Sequence, residues 1–199
     1  MRERYEAYPS ALRVLSAWED MPSATRPVIC HWHLQLADPL YRKFTGEFLP
    51  DRDQGGFATL SRSVVARWIQ DTCSDRWQTT TRNQFARKLL YSAADAGLLK
   101  TVGKEWSRAT PRIDGVALTY LLYLLRETDF EGTLTNNAYL RSLGIDASLL
   151  ATKLQASSAV QIHRQSDLVE FTWQYESLND WAESIGVPVE SRREELHEC

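Results

Sequence analysis

The chain has 199 residues, 43% hydrophobic and 25% charged, with nine glycines, seven prolines and three cysteines. Those values exclude collagen-like, disordered and disulfide-scaffold classes, and the length allows one large domain or two small ones with a real core. The net charge of −3 hides an uneven distribution: residues 62–112 carry ten basic and four acidic side chains, residues 165–199 nine acidic and two basic.

In chain order, residues 9–20 read as a short helix, because Ala11, Leu12, Leu15 and Trp18 recur at helical spacing. Met21-Pro22-Ser23 breaks it. Thr25 is expected to cap the next helix, with Pro27 in its first turn and Val28, Ile29, Trp32, Leu36 and Leu40 on one face; Asp38-Pro39 is expected to kink or end it. Residues 46–56 (GEFLPDRDQGG) are polar and rich in turn formers, and predict a loop or domain boundary.

From Phe57 the pattern tightens. Ser61 or Ser63 can cap a helix running to Cys73, with Val64, Val65, Trp68, Ile69 and Cys73 on its apolar face. Ser74-Asp75 makes a turn. A second helix starts near Thr80 or Thr81 and runs to Ala96, with Phe85, Ala86, Leu89, Ala93 and Ala96 inward and Gly97 as its left-handed stop. LLKTVGKEWSRAT then reads as strand, tight turn at Val102-Gly103-Lys104, and strand. Helix, turn, helix and hairpin in that order are the layout of a winged helix-turn-helix.

The same order recurs downstream. Residues 116–126 are apolar nearly all round and predict a buried central helix. Residues 136–143 predict a short helix stopped by Gly144. Asp146 caps another, with Leu149, Leu150, Leu154 and Ser157 inward. VQIHR and LVEFTW form a hairpin across Gln165-Ser166-Asp167, with Val169, Phe171 and Trp173 alternating. An acidic helix over 178–185 and a stop at Gly186-Val187-Pro188 precede an acidic tail. The expected fold is mainly α with small β-hairpins. It comprises an N-terminal helical segment (1–56), a winged helix-turn-helix unit (57–114), a second winged-helix-like unit with a C-terminal helix (115–186) and a tail (187–199).

Candidate chemistry concentrates on the 80–96 helix. With Phe85 taken as pointing inward, Asn83 and Arg87 lie about 200° away and Tyr91 continues the line. Asn83, Gln84, Arg87, Lys88 and Tyr91 then form an exposed polar stripe. Arg and Lys suit guanine edges, and Asn and Gln suit adenine. Thr79, Thr80, Thr81 and Arg82 crowd the helix start, where free N–H groups favour phosphate. Lys100, Lys104 and Arg108 place positive charge on the hairpin. The plainer alternative is a solvated helix face beside a charged hairpin. Trp68 and Trp173 fit buried faces, and Trp77 and Trp106 are expected to pack the hairpin and helix together. The downstream helix ASLLATKLQASS carries one basic residue, Lys153, with Arg141, His163 and Arg164 near in sequence; packing or partner binding suits it better than duplex readout.

Cys30-His31-Trp32-His33 raises a metal site, but residues two apart diverge on a helix, and no second Cys or His pair lies at ligand spacing. A structural role is expected, with no metal or cofactor. There is no nucleophile elbow, Walker loop or dinucleotide fingerprint, so enzyme activity is not expected. The longest apolar run, near ten residues, falls short of the ~20 of a membrane span. The N-terminal stretch lacks a signal peptide's apolar core, and Cys30, Cys73 and Cys199 are odd in number and far apart; a cytoplasmic protein is expected.

The run from Trp77 to Leu99 (WQTTTRNQFARKLLYSAADAGLL), the segment ALTYLLYLLRE and the closing FTWQYESL resemble the BrxA family, small accessory proteins of bacteriophage exclusion (BREX) defence systems. The resemblance spans about residues 57–180. It implies a non-enzymatic, helical, winged-helix DNA-binding component of a bacterial antiphage system whose methylation and defence steps lie with larger subunits. Arg82, Asn83, Arg87 and Lys88 are the face placed on that role, chosen from helix geometry. The expected partners are double-stranded DNA and other BREX subunits. A protein-binding adaptor and a transcriptional regulator are the alternatives.

Overall fold

The computed structural model describes residues 7–56, 59–73, 77–165 and 168–189. Helix α1 (Pro9–Ala17) begins on a proline, whose missing N–H costs nothing in a first turn. It buries Ala11 and Val14, and Trp18 just beyond, while Leu12 faces out at 44% exposure. The inward line is therefore rotated from the one the spacing suggested.

Helix α2 (Thr25–Ala37) is surrounded on most sides, with Val28, Ile29, His31, Trp32, His33 and Gln35 buried. Thr25 does not cap it. Ala24 holds that position in helical conformation, and Thr25 donates its hydroxyl to Asp114 Oδ2 at 2.6 Å. Several buried polar side chains of α2 find partners in later segments, although the Gln35 Oε1 acceptor has none among the described residues. Trp32 Nε1 donates to the Tyr139 carbonyl, His33 Nε2 meets the Tyr120 hydroxyl at 2.6 Å, and Gln35 Nε2 donates to Thr45 Oγ1.

Asp38 ends α2 and caps α3 (Pro39–Lys43) by accepting from the N–H groups of Leu40 and Tyr41. The helical path then continues where a loop was expected. A π-helical turn (Phe44–Phe48) leads directly into α4 (Leu49–Gln54), and only Gly55-Gly56 makes a turn. Two features explain the difference. Pro50 has no N–H and its ring would collide with the carbonyl four residues back; the widened π turn relieves that clash. Gly46 is needed for contact: a Cβ there would lie 2.7 Å from Ala138 Cβ and 2.9 Å from the Ala138 carbonyl. Both residues read as turn formers in sequence, yet they serve a helix packed against another segment. Phe44 and Phe48 close on Trp68 with ring centroids 5.6 and 4.9 Å away.

Helix α5 (Arg62–Cys73) buries Val65 and Ile69, with Val64, Trp68 and Cys73 half-buried. Helix α6 (Thr79–Asp95) ends at Gly97 (φ 75°), with Leu98 N–H on the Ala93 carbonyl and Gly97 N–H on the Ala94 carbonyl, the two bonds of a Schellman ending. Strands β1 (Leu99–Val102) and β2 (Glu105–Arg108) pair antiparallel around the two-residue turn Gly103-Lys104. Leu60 and Trp106 exchange backbone bonds of 2.7 and 2.9 Å, so β2 lies between β1 and the chain entering α5.

Helix α7 (Gly115–Arg126), capped by Asp114, is buried from Ala117 to Leu125, as its uniform apolar character predicts. Helix α8 (Ala138–Arg141) is capped by Asn137 and followed by Gly144 at φ 68°. Helix α9 (Ala147–Leu154) is capped by Asp146 and buries Leu150 and Leu154; Leu149, expected inward, is 39% exposed. Strands β3 (Val160–Gln165) and β4 (Leu168–Trp173) pair antiparallel, and Trp173, expected on a buried face, is half-buried under the Arg126 guanidinium at 5.0 Å. Helix α10 (Leu178–Ser184) opens with a Ser177–Asp180 capping box and sets Trp181 against Trp18 and Tyr123. Among the described residues the protein is thus mainly helical, with two small two-stranded antiparallel sheets. Among the described residues no helix is long and apolar enough to cross a membrane. The expected turns at Ser74-Asp75 and Ser166-Asp167, and the acidic tail from Glu190, lie outside the described residues.

Two stability measurements follow from this packing. Gly46→Ala forces its new methyl into Ala138, and is expected to lower the unfolding free energy by about 1–3 kcal/mol in urea titration. Burial raises the hydroxyl pKa of both Tyr123 and Tyr139 above the ordinary tyrosine value. A group held neutral in the fold but free to ionise when unfolded contributes stability below the unfolded pKa of about 10, and loses it as pH rises through the folded value. Melting temperature is therefore expected to fall above about pH 10, and to fall less steeply in Tyr123→Phe, compared with its own value at pH 8.

Candidate nucleic-acid interface

The exposed side of α6 follows from which residues it buries. Ala86, Leu89, Leu90 and Ala93 face the core, and Phe85 is half-buried, stacked on Trp77 at 4.5 Å and 9° between planes. The inward direction is thus about 90° around the axis from the one set by Phe85 alone, at 100° per residue. Opposite it lie Gln84, Lys88, Tyr91 and Asp95, with Thr80 and Arg87 at the margin, and all six are exposed. Asn83 is exposed too, but on the flank. Arg82 moves to the half-buried side and donates to Thr79 Oγ1 at 3.1 Å. The helix begins one residue before the expected start: Thr79 is its first residue behind Gln78, Thr79 and Thr80 are exposed, and Thr81 is half-buried.

The hairpin joins this face through aromatic packing. Trp106 on β2 is buried, and Tyr91 meets it edge to face at 6.1 Å while remaining 51% exposed. Both Trp77 and Trp106 therefore pack, as expected. Lys100 and Lys104 are exposed on the hairpin. Among the described residues Arg87, Lys100 and Lys104 have no hydrogen bond or ion pair to another side chain, and Lys88 lies 5.7 Å over the Phe85 ring.

Arg108, expected to add positive charge to the hairpin surface, does something else. Its Nε bonds Asp53 Oδ2 at 2.8 Å, and its two terminal nitrogens donate to the carbonyls of Leu98 (3.3 Å) and Ser142 (2.6 Å). A fork of donors with three acceptors in place is a structural clamp. Spacing along a two-residue period gives the face a side chain leaves from, and says nothing of the acceptors that α4 and α8 bring to it.

A cleft of about 700 Å³ runs beside α6. Phe85, Lys88, Leu89 and Ser92 contribute from α6, Leu34, Asp38 and Tyr41 from α2 and α3, and Arg87, Tyr91 and Asp95 also line it. The α2–α3 contribution was missed in sequence, since nothing local ties residues 34–41 to residues 85–95. Asp95 was legible: it follows Lys88 by seven and Tyr91 by four on the same helical line.

His31 and His33 take hydroxyl partners. His31 Nδ1 is 2.9 Å from the Tyr41 hydroxyl and Nε2 is 2.9 Å from Ser142 Oγ, whose proton goes to the Tyr139 carbonyl at 2.7 Å. With the Ser142 proton directed at Tyr139, its oxygen is left to accept from His31 Nε2, and the Tyr41 hydroxyl at Nδ1 also lies 3.4 Å from the Ser92 carbonyl. Among the described residues, no three His, Cys, Asp or Glu side chains gather as a metal ion would need. In the downstream unit Lys153 Nζ is engaged with the Ile113 carbonyl at 3.2 Å, which leaves α9 without a free cation of its own.

Comparison with family models, with curated proteins and with solved structures gives no match.

The geometry separates clamp from surface. Arg108→Ala strands the Ser142 carbonyl and unpairs Asp53, while the Leu98 carbonyl keeps the Ala109 N–H, and is expected to lower stability by roughly 1–3 kcal/mol. Arg87→Ala and Lys88→Ala are expected to stay within about 0.5 kcal/mol of the parent. Thermal melts of the three variants check both statements.

Proposed function

We propose that this chain is a non-enzymatic DNA-binding protein that contacts double-stranded DNA through α6 and the β1–β2 hairpin. One observation carries the reading: Arg87, Lys88, Lys100 and Lys104 stand exposed, without carboxylate partners among the described residues, on two elements joined by the Tyr91–Trp106 contact. Cations paired within the fold would have little left for phosphate; unpaired ones release counterions when they meet it. Gln84 and Asn83 offer the bidentate amide that suits adenine, and Arg87 the fork that suits guanine.

The winged helix-turn-helix reading is supported by element order. The Leu60 bridge, α5, α6, β1 and β2 follow one another, with β2 central between Leu60 and β1. In this reading α6 lies along the major groove, its start and the hairpin rest on the backbone, and Arg108 holds the hairpin in place. The stretch from α7 to β4 repeats the order, but Arg126, Arg141 and Lys153 in it are engaged by Tyr175, Asp51 and Ile113, which suits packing or docking to other subunits. The role as a cytoplasmic accessory component of a BREX antiphage system rests on the resemblance of residues 77–99, 117–127 and 171–178 to the BrxA family.

Fluorescence anisotropy with a labelled blunt duplex tests the reading. Binding is expected at low salt, with log K falling linearly in log salt by about 0.9 for each phosphate neutralised. The double charge reversal Arg87→Glu with Lys88→Glu is expected to abolish binding with an unchanged melting curve. Absence of binding by the parent protein at low salt overturns the proposal and favours a protein adaptor.

A further inference from the structure

Resting on the DNA-binding reading above, we infer that the cleft beside α6 receives an unpaired nucleobase, so that the preferred ligand is a duplex continued by a single-stranded extension. The argument starts from the charge of the cleft. Arg87 and Lys88 line it together with Asp38 and Asp95, so its cations and carboxylates balance. A phosphate backbone drawn into such a cleft would meet two carboxylates. A base edge would not suffer from them, because it offers N–H donors beside carbonyl and ring-nitrogen acceptors, and carboxylates accept from the exocyclic amine of cytosine.

The walls suit a flat ring as well. Tyr91 lines the cleft at 51% exposure, held at its other edge by Trp106, and Phe85 and Leu34 give apolar flanks. Aromatic side chains with one accessible face are the stacking surfaces on which proteins hold unpaired bases. Tyr91 is also the residue the cleft shares with the hairpin side of α6. A strand whose phosphates rest on Lys100, Lys104 and the start of α6 can thus pass over Tyr91 and turn a base toward Asp38. The cleft, at about 700 Å³, is large enough for a base with its sugar. A paired base has its Watson–Crick edge occupied and its faces stacked, so only an unpaired nucleotide fits this description.

Three probes and two variants test it: a blunt duplex, the same duplex with a four-nucleotide cytosine extension, and that duplex with an abasic extension of equal length. The cytosine extension is expected to bind roughly tenfold tighter than the blunt duplex, the scale of one stacked base, and the abasic extension to bind like the blunt one. The ratio of extended to blunt affinity is expected to fall to one in Tyr91→Ala and to persist in Tyr91→Phe. Equal affinity for extended and blunt duplexes overturns the inference while leaving the DNA-binding reading in place. So does an abasic extension that gains as much as the cytosine one, or a Tyr91→Ala protein that keeps its ratio. Failure to bind any of the three probes at low salt overturns both.

Discussion

The guanidinium of Arg108 is the point on which three separate stretches of chain converge. Asp53 comes from the end of α4, Leu98 from the turn after α6, and Ser142 from the end of α8. A guanidinium is planar and cannot lose its proton, so its donors fix acceptors in a plane and hold them there at any physiological pH. The hairpin that carries Arg108 is only four residues a side, too short to be stable alone. Its position relative to α6 is set by this clamp at the base and by Trp106, which packs on Tyr91 and pairs with Leu60. Exposed cations on two elements act as one surface only if the elements do not move apart, and these contacts prevent that.

The clamp also explains why the N-terminal helices matter. Ser142 offers its carbonyl to Arg108 and its hydroxyl to His31, so α2 and the hairpin are joined through one residue of the second unit. Hydrogen bonds from α2 reach Tyr120, Tyr139 and Ser142, and Asp53 reaches Arg108. They cross both sequence positions at which boundaries were expected, near residues 56 and 114. Helix α2 buries four polar or aromatic side chains within five residues, His31, Trp32, His33 and Gln35, because later segments meet each one, a pattern that local periodicity does not encode.

What could be read from sequence was what local chemistry determines. Gly97 and Gly144 stop helices at positive φ, Asp146 caps α9, and residues 117–125 vanish into the core, each as composition and spacing suggest. The failures share a cause. Gly46 and Pro50 read as turn residues because their usual roles are local, whereas here one permits contact with Ala138 and the other follows a π turn. Arg108 reads in sequence as one of the hairpin's positive charges, yet its acceptors arrive from residues 53, 98 and 142. Of the candidate interface, Gln84, Arg87, Lys88 and Tyr91 were legible as exposed, while the opposing wall at Leu34, Asp38 and Tyr41 was not.

The hydroxyl–imidazole relay through Tyr41, His31 and Ser142 bears on how this sequence is free to diverge. Tyr41 meets His31 Nδ1 at 2.9 Å, His31 Nε2 meets Ser142 Oγ at 2.9 Å, and Ser142 donates onward to the Tyr139 carbonyl. An aliphatic replacement at any one link strands the groups on either side of it in a dry interior. Drift at positions 31, 41 and 142 is therefore coupled: relatives that keep this core should exchange the three together or leave all three alone.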